Sequence, residues 1–151
     1  MSPPLTTIGW REYVDLPDWG IKRVRAKVDT GANTSSIDAF DIVEVEEGVI
    51  VFRVVRARRP KHLTTTARAL VVRHTIVRSS TGHPEHRYVV RTRARIGKQE
   101  IDLEVTLVPR PLLLCRMLLG RRALAGRFVV DCGHKYLLTR ARRLEKHRPG
   151  R

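Results

Sequence analysis

Acid is scarce in this chain. Its 151 residues carry 15 Asp and Glu against 30 Lys and Arg, a formal charge of +15. So positive a balance favours a polyanionic partner: nucleic acid, a ribosome, an acidic peptide or an anionic membrane. Cysteine is nearly absent. Cys115 and Cys132 alone make no disulfide framework, which fits a cytoplasmic protein. No uncharged run approaches the roughly 20 residues of a membrane span. No charged start followed by an apolar stretch reads as an export signal, so neither a membrane partner nor secretion is expected. Three Phe, three Tyr and two Trp are too few to interleave aromatic and basic residues along a strand, as base stacking needs. A phosphate-binding glycine motif is also missing, so no nucleotide or other cofactor is expected.

The charge is unevenly spread. Residues 1–50 hold 5 basic and 9 acidic side chains, whereas residues 51–151 hold 25 and 6. The length allows one domain, placed at 1–139, with a basic C-terminal tail at 140–151 that is expected to fray. The dominant hydrophobic period is two, which predicts strands. They are expected at Leu5–Val14, Ile21–Val28, Phe40–Val45, Val49–Arg56, Ala69–Val77, Arg87–Ile96 and Ile101–Val108. Residues 57–66, polar, basic and broken by Pro60, read as a loop, and Ser79–Glu85 as a turn or mobile loop. Pro109 and Pro111 stop the strand before them, and Gly120–Ala125 reads as one short helix. A last hairpin is expected from Phe128–Val130 and Tyr136–Leu138 across Cys132-Gly133-His134. Short strands, little helix and frequent turns indicate an all-β domain, closed or sandwiched.

Chemistry is most legible at Val28-Asp29-Thr30-Gly31-Ala32, where a strand ends on an acid followed at once by small residues. A carboxylate is costly to bury without donors. Gly31 lets the backbone pass close to it, and the Thr30 hydroxyl can anchor the turn. By itself the segment is equally a tight turn in which Asp29 bonds its own following backbone. A second segment, Met117-Leu118-Leu119-Gly120-Arg121-Arg122-Ala123-Leu124, is on its own simply a buried strand entering a helix.

Taken together, Asp29-Thr30-Gly31-Ala32 and Leu118-Leu119-Gly120-Arg121 resemble the retropepsin-like aspartic proteases, which place these two elements in this order. Residues 8–12, 26–36, 78–87 and 117–128 are similar to a bacterial branch of that family. Its members accompany ATP-grasp ligases that add glutamates to proteins, and are known as ATP-dependent zinc proteases. The resemblance implies a retropepsin-like closed β-barrel with one short helix near residues 120–125. It makes Asp29 the catalytic carboxylate, with Thr30, Gly31, Ala32, Gly120 and Arg121 shaping the site. Where the wider family commonly has an acid after the Ala, this chain has Asn33, so Arg121 is expected to meet a neutral amide.

Aspartic proteolysis uses two facing carboxylates that share a proton. Only one Asp-Thr-Gly is present, since Asp131-Cys132-Gly133 lacks the hydroxyl residue, so that route requires a two-fold homodimer. The other route is a single-Asp site with Lys27 or an arginine as positive partner. Lys27 lies two residues before Asp29, on the same side of the strand, and reads equally as a solvated edge residue. Arginines cluster around the 57–66 loop, and Arg87, Arg91, Arg93 and Arg95 alternate onto one face, either solvated or lining a groove. A basic groove would suit an acidic, glutamate-rich peptide or protein tail, a ribosomal protein being one candidate. Lys27, Asn33, Arg78, Arg87 and Arg91 form the candidate substrate-binding set. His83-Pro84-Glu85-His86 lacks the spacing of zinc hydrolases and a further ligand, so no metal is expected. The competing readings are a basic RNA- or ribosome-binding barrel without catalysis, and a protease fold serving as a dead adaptor.

Overall fold

The computed structural model describes residues 4–78, 80–110 and 114–139. The expected tail at 140–151 and the stop at Pro111 lie outside them. Among the described residues ten strands, one short α-helix and a 3-10 turn at Pro17–Trp19 make an all-β fold: β1 Thr6–Gly9, β2 Arg11–Leu16, β3 Ile21–Val28, β4 Ser35–Glu46, β5 Val49–Ala57, β6 Leu63–Arg78, β7 Pro84–Ile96, β8 Gln99–Val108, β9 Met117–Leu119, α1 Arg121–Leu124 and β10 Phe128–Asp131. No helix among the described residues is long and apolar enough to cross a membrane.

Eight strands form one sheet in the order β2-β3-β9-β4-β5-β6-β7-β8. β4 also pairs with β8 in parallel, and β2 meets β7 at Asp15 and Arg95, so the sheet curls round until β2 touches β7. Alternation decides the core. Val24 and Ala26 of β3, Ile50, Phe52 and Val54 of β5, Val90, Ala94 and Ile96 of β7, and Val105 and Leu107 of β8 are buried around one centre. Trp19 closes it, edge-on to Phe52 at 5.2 Å between ring centroids.

Three expectations about strand limits are corrected. The first strand is two, because the chain breaks at Trp10. β1 leaves to pair in parallel with β10, and β2 stays in the main sheet. The loop at 57–66 is shorter, since β6 begins at Leu63 and its Thr64–Thr66 pair with β5. The turn expected at 79–85 is shorter as well, as β7 starts at Pro84 opposite Arg78. Beyond a register shift between Val71 and Arg73, β6 and β7 run on as a hairpin arm, with Arg73–Arg78 and Pro84–His86 exposed.

The last hairpin does not form. β10 pairs with β1, and Tyr136 takes a left-handed φ of 56°, which bends residues 136–139 out of any strand. The N–H groups of residues 137–139 converge on one carboxylate instead, while that of Tyr136 donates to the Arg11 carbonyl. Glu12, fully buried, accepts from the N–H groups of Leu137 (2.9 Å), Leu138 (3.1 Å) and Thr139 (3.0 Å), and from Gly9 (2.9 Å). The Thr139 hydroxyl adds a fifth bond at 2.6 Å. A buried carboxylate is tolerated only when its lone pairs are filled in this way. Glu12→Gln turns one acceptor oxygen into a donor facing N–H groups. It should cost about 3 kcal/mol, read as a lowered urea midpoint.

Candidate active site

The site is built where β3 and β9 end side by side. They run parallel, Val28 opposite Leu119, so both C-terminal ends open on the same edge. The Asp29 N–H donates to the Leu119 carbonyl at 2.9 Å, continuing the ladder one residue past the strand. The loop then turns tightly. The Gly31 N–H donates to Asp29 Oδ1 at 3.0 Å and the Ala32 N–H to the Asp29 carbonyl at 3.2 Å. Asp29 is half-buried, and Oδ2 makes no hydrogen bond among the described residues. The turn reading of Asp-Thr-Gly therefore holds: one oxygen organises the turn, and the other accepts no bond among the described residues. A Cβ on Gly31 would lie 3.2 Å from Oδ1, a crowding that glycine avoids.

The second element locks the loop from the other side. The Arg121 N–H donates to the Ala32 carbonyl (2.8 Å), the Arg122 N–H to the Asn33 carbonyl (3.1 Å), and the Gly120 N–H to the buried Ser35 hydroxyl (3.0 Å). A Cβ on Gly120 would meet the Thr34 carbonyl oxygen at 2.5 Å, so no side chain fits. Arg121 does not meet an amide. Its guanidinium donates to the Thr30 carbonyl at 2.9 Å, holding the loop by its backbone.

Asp29, Thr30, Gly31, Ala32, Asn33, Gly120 and Arg121 are thus brought together, with Lys27 exposed beside them on β3. Arg91, Arg87 and Arg78 are placed elsewhere. Arg91 is on β7, paired to Glu104 at 3.1 Å, and lines a hollow of about 240 Å³ with Thr34, Arg122 and Glu104. Arg87 pairs with Glu85 at 2.9 Å, and Arg78 ends the exposed arm. Asp29 is not among the residues that line the hollow. The zinc implied by the branch's usual label does not fit these residues. His86 Nδ1 is 2.8 Å from His74 Nε2, and no three His, Cys, Asp or Glu side chains gather as a ligand set among the described residues.

Sequence reasoning missed Asp38. It lies on β4 with no solvent exposure, under three arginines. Arg58 grips it through Nε (2.8 Å) and a terminal nitrogen (3.2 Å), Arg116 donates a further bond, and the Arg110 N–H donates at 2.9 Å. Burial pushes the Asp38 carboxyl up, but these bonds together outweigh it and hold the group below its ordinary value. The only signal in the sequence was an acid following Ile37 in an apolar strand, with no clue to its arginines.

Two expectations follow. Because the folded Asp38 titrates below the unfolded one, the unfolded chain takes up the proton first as pH falls. The stabilisation is complete above about pH 5 and drains away as pH drops through the folded value. Asp38→Asn should cost about 3–5 kcal/mol at pH 7 and flatten the acid limb of stability against pH, measured by urea unfolding. Gly120→Ala should cost about 1–3 kcal/mol by forcing β9 away from Thr34, seen as a lower thermal midpoint.

The comparisons agree with this geometry. The crystal structure of a Legionella pneumophila protein of unknown function has the same fold, at a TM-score of 0.71 and 24% identity, over 89% of this chain and 98% of that one. A probable alpha-L-glutamate ligase of Desulfotalea psychrophila is 35% identical over 82% of this chain, and one of Shewanella pealeana 31% identical over 91%. This chain spans only 27% and 31% of the length of those two relatives. Residues 7–141 match the RimB-like model, described as retropepsin-like aspartic endopeptidase RimB, and the chain belongs to that family.

Proposed function

We propose that this chain is an aspartic endopeptidase that hydrolyses glutamate-rich peptide or protein tails, acting as a two-fold homodimer with Asp29 as the catalytic carboxylate. The observation that carries the reading is the Asp29 loop, clamped by β9 and α1 with Oδ2 left open on the surface. One carboxylate is half of the machinery. Two copies meeting across an axis would set two Asp29 side chains about 3 Å apart, where they cannot both ionise and share a proton. The ionised one takes a proton from water as the water attacks the scissile carbonyl. The protonated one donates to the carbonyl oxygen and stabilises the tetrahedral intermediate. In such an arrangement the second copy would complete the cleft over Asp29, which is not among the residues lining the hollow.

The substrate class is supported by two independent facts. The relatives whose segment this chain matches are named as glutamate ligases, so a hydrolase in the same chain would act on the same bonds. The outer face around Asp29 also carries Lys27 and Arg11 on paired strands, favourable for a carboxylate-bearing chain. A ribosomal protein with a glutamate extension, in the cytoplasm, would meet these requirements.

Mass-resolved digestion of glutamate-extended peptides tests the reading. Wild type should cut them, and Asp29→Asn should lower turnover by about 10³-fold or more. Unchanged turnover in the variant rejects Asp29 as catalyst. Activity from a species that stays monomeric rejects the dimer, and equal cutting of neutral and acidic peptides at low salt rejects the substrate class.

A further inference from the structure

The outer face of β3-β9-β4 holds a cation that the loop chemistry does not use. Leu118 of β9 lies opposite Lys27 on one side and Ser36 on the other. Residues directly opposite share a face, so Lys27, Leu118 and Ser36 point the same way. The neighbouring row of Ala26, Met117 and Ile37 is wholly buried and points into the core, which makes the first row the outer one. Asp29 follows Lys27 by two residues and stays on that outer side. So does Asp38, two residues beyond Ser36. It is buried because arginines close over it from outside, not because it enters the core.

Three arginines thus meet at Asp38, at the Arg116 end of β9, whereas Asp29 lies at its Gly120 end, and they are not equally engaged. Arg58 spends two nitrogens on Asp38. Arg116, almost fully buried, bridges Asp38 and the Arg110 carbonyl. Arg110 differs. Its backbone N–H serves Asp38, but its side chain donates only to the neutral Ser36 hydroxyl, at 3.1 Å, and its Nε is buried with no partner among the described residues. Burial and the Arg116 charge push Arg110 down, while Asp38, Cys115 and Asp29 oppose them, so the guanidinium is near enough to Asp29 to sense its charge. The side chain as a whole is only half-buried, and the neutral Ser36 hydroxyl answers only part of its guanidinium, for which a carboxylate is the stronger acceptor.

We infer that Arg110, held in place by Ser36 and the Asp38 cluster, is the anchor for an acidic side chain of the substrate, on the same outer face as Asp29. The inference rests on the peptidase reading for its substrate and adds the residue that selects it. Asp38 and Ser36 are positioning residues: Asp38 fixes the backbone on which Arg110 sits, and Ser36 aims the guanidinium. Lys27, on the other side of Leu118, supplies a second charge for a chain of carboxylates.

Binding separates this from turnover. In an Asp29→Asn background, affinities for an oligoglutamate peptide and its oligoglutamine counterpart are measured by calorimetry, with and without Arg110→Gln. The preference for oligoglutamate should fall about tenfold on losing Arg110. Arg110→Lys should recover part of it, because charge returns without the fork. The backbone bonds of Arg110 survive either change, and an unaltered thermal midpoint verifies the fold. An unchanged preference overturns the inference, as does a parent that shows no preference for oligoglutamate. Failure of the peptidase reading shows separately, as peptide cleavage that Asp29→Asn does not abolish.

Discussion

The insertion of a three-residue strand between β3 and β4 is the constraint on which the rest depends. β9 is short, but Met117 and Leu119 are entirely buried and its backbone is paired on both sides. That pairing sets the Gly120-Arg121 corner against the Asp29 loop, although the two segments are far apart in sequence. The bond from the Asp29 N–H to the Leu119 carbonyl is the point of contact, and the Arg121 bonds to Ala32 and Thr30 follow from it. Burial holds β9 in its slot, and hydrogen bonding then fixes the angle at which the carboxylate is presented.

Scarcity of acid shapes the remainder. With two bases for every acid, the few carboxylates become hubs. Asp38 gathers Arg58, Arg110 and Arg116. Glu104 gathers Arg91, Arg73 and Arg122; the Arg91 hydrogen bond does most to hold its carboxyl below the ordinary value, against a smaller opposing effect of burial. Arg93 is likewise taken by Asp18 and Glu100. The arginine stripe on β7 is therefore largely answered by the protein's own acids. The positive charge left beside Asp29 comes instead from β2, β3 and the segment after β8. Exposed pairs of this kind add little stability singly. Their effect is to decide which arginines remain available to a ligand.

Much of this was legible in the sequence. Period-two alternation located β3, β5, β7 and β8 because each buries one face and exposes the other, and the Gly120 helix stands where its motif indicated, at Arg121–Leu124. The loop geometry was legible because Gly31 and Gly120 sit at close approaches, which leave a trace in residue type. What escaped was non-local. The 136–139 segment has the apolar look of a strand, but Glu12 draws the N–H groups of residues 137–139 to a point, and no local pattern encodes a partner so far away. Asp38 escaped for the same reason. An outward acid in a strand reads as solvated until three arginines from separate elements cover it.

The molecule divides into a fixed floor and a loosely held arm. Around Asp29, backbone bonds to β9 and α1 tie every residue from Asp29 to Asn33 except Thr30 and Gly31. Thr30 is held through its carbonyl by Arg121, and Gly31 through its N–H by Asp29 itself. The carboxylate is therefore presented in one fixed orientation, and under the proposed peptidase reading little reordering would be needed to reach a reactive geometry. The β6–β7 arm is the opposite. Past the register shift at Val71 it buries almost nothing; Ile76 and Val77 face solvent, and beyond the backbone ladder its side-chain contacts include the His74–His86 pair and the Tyr88 ring stacked on His74. Local opening free energy follows buried apolar contact, so the arm belongs to the low end of that scale and the Asp29 floor to the high end. The contrast follows from burial alone: the Asp29 loop is tied to a strand whose Met117 and Leu119 side chains lie in the core, and the arm carries its apolar residues outside it.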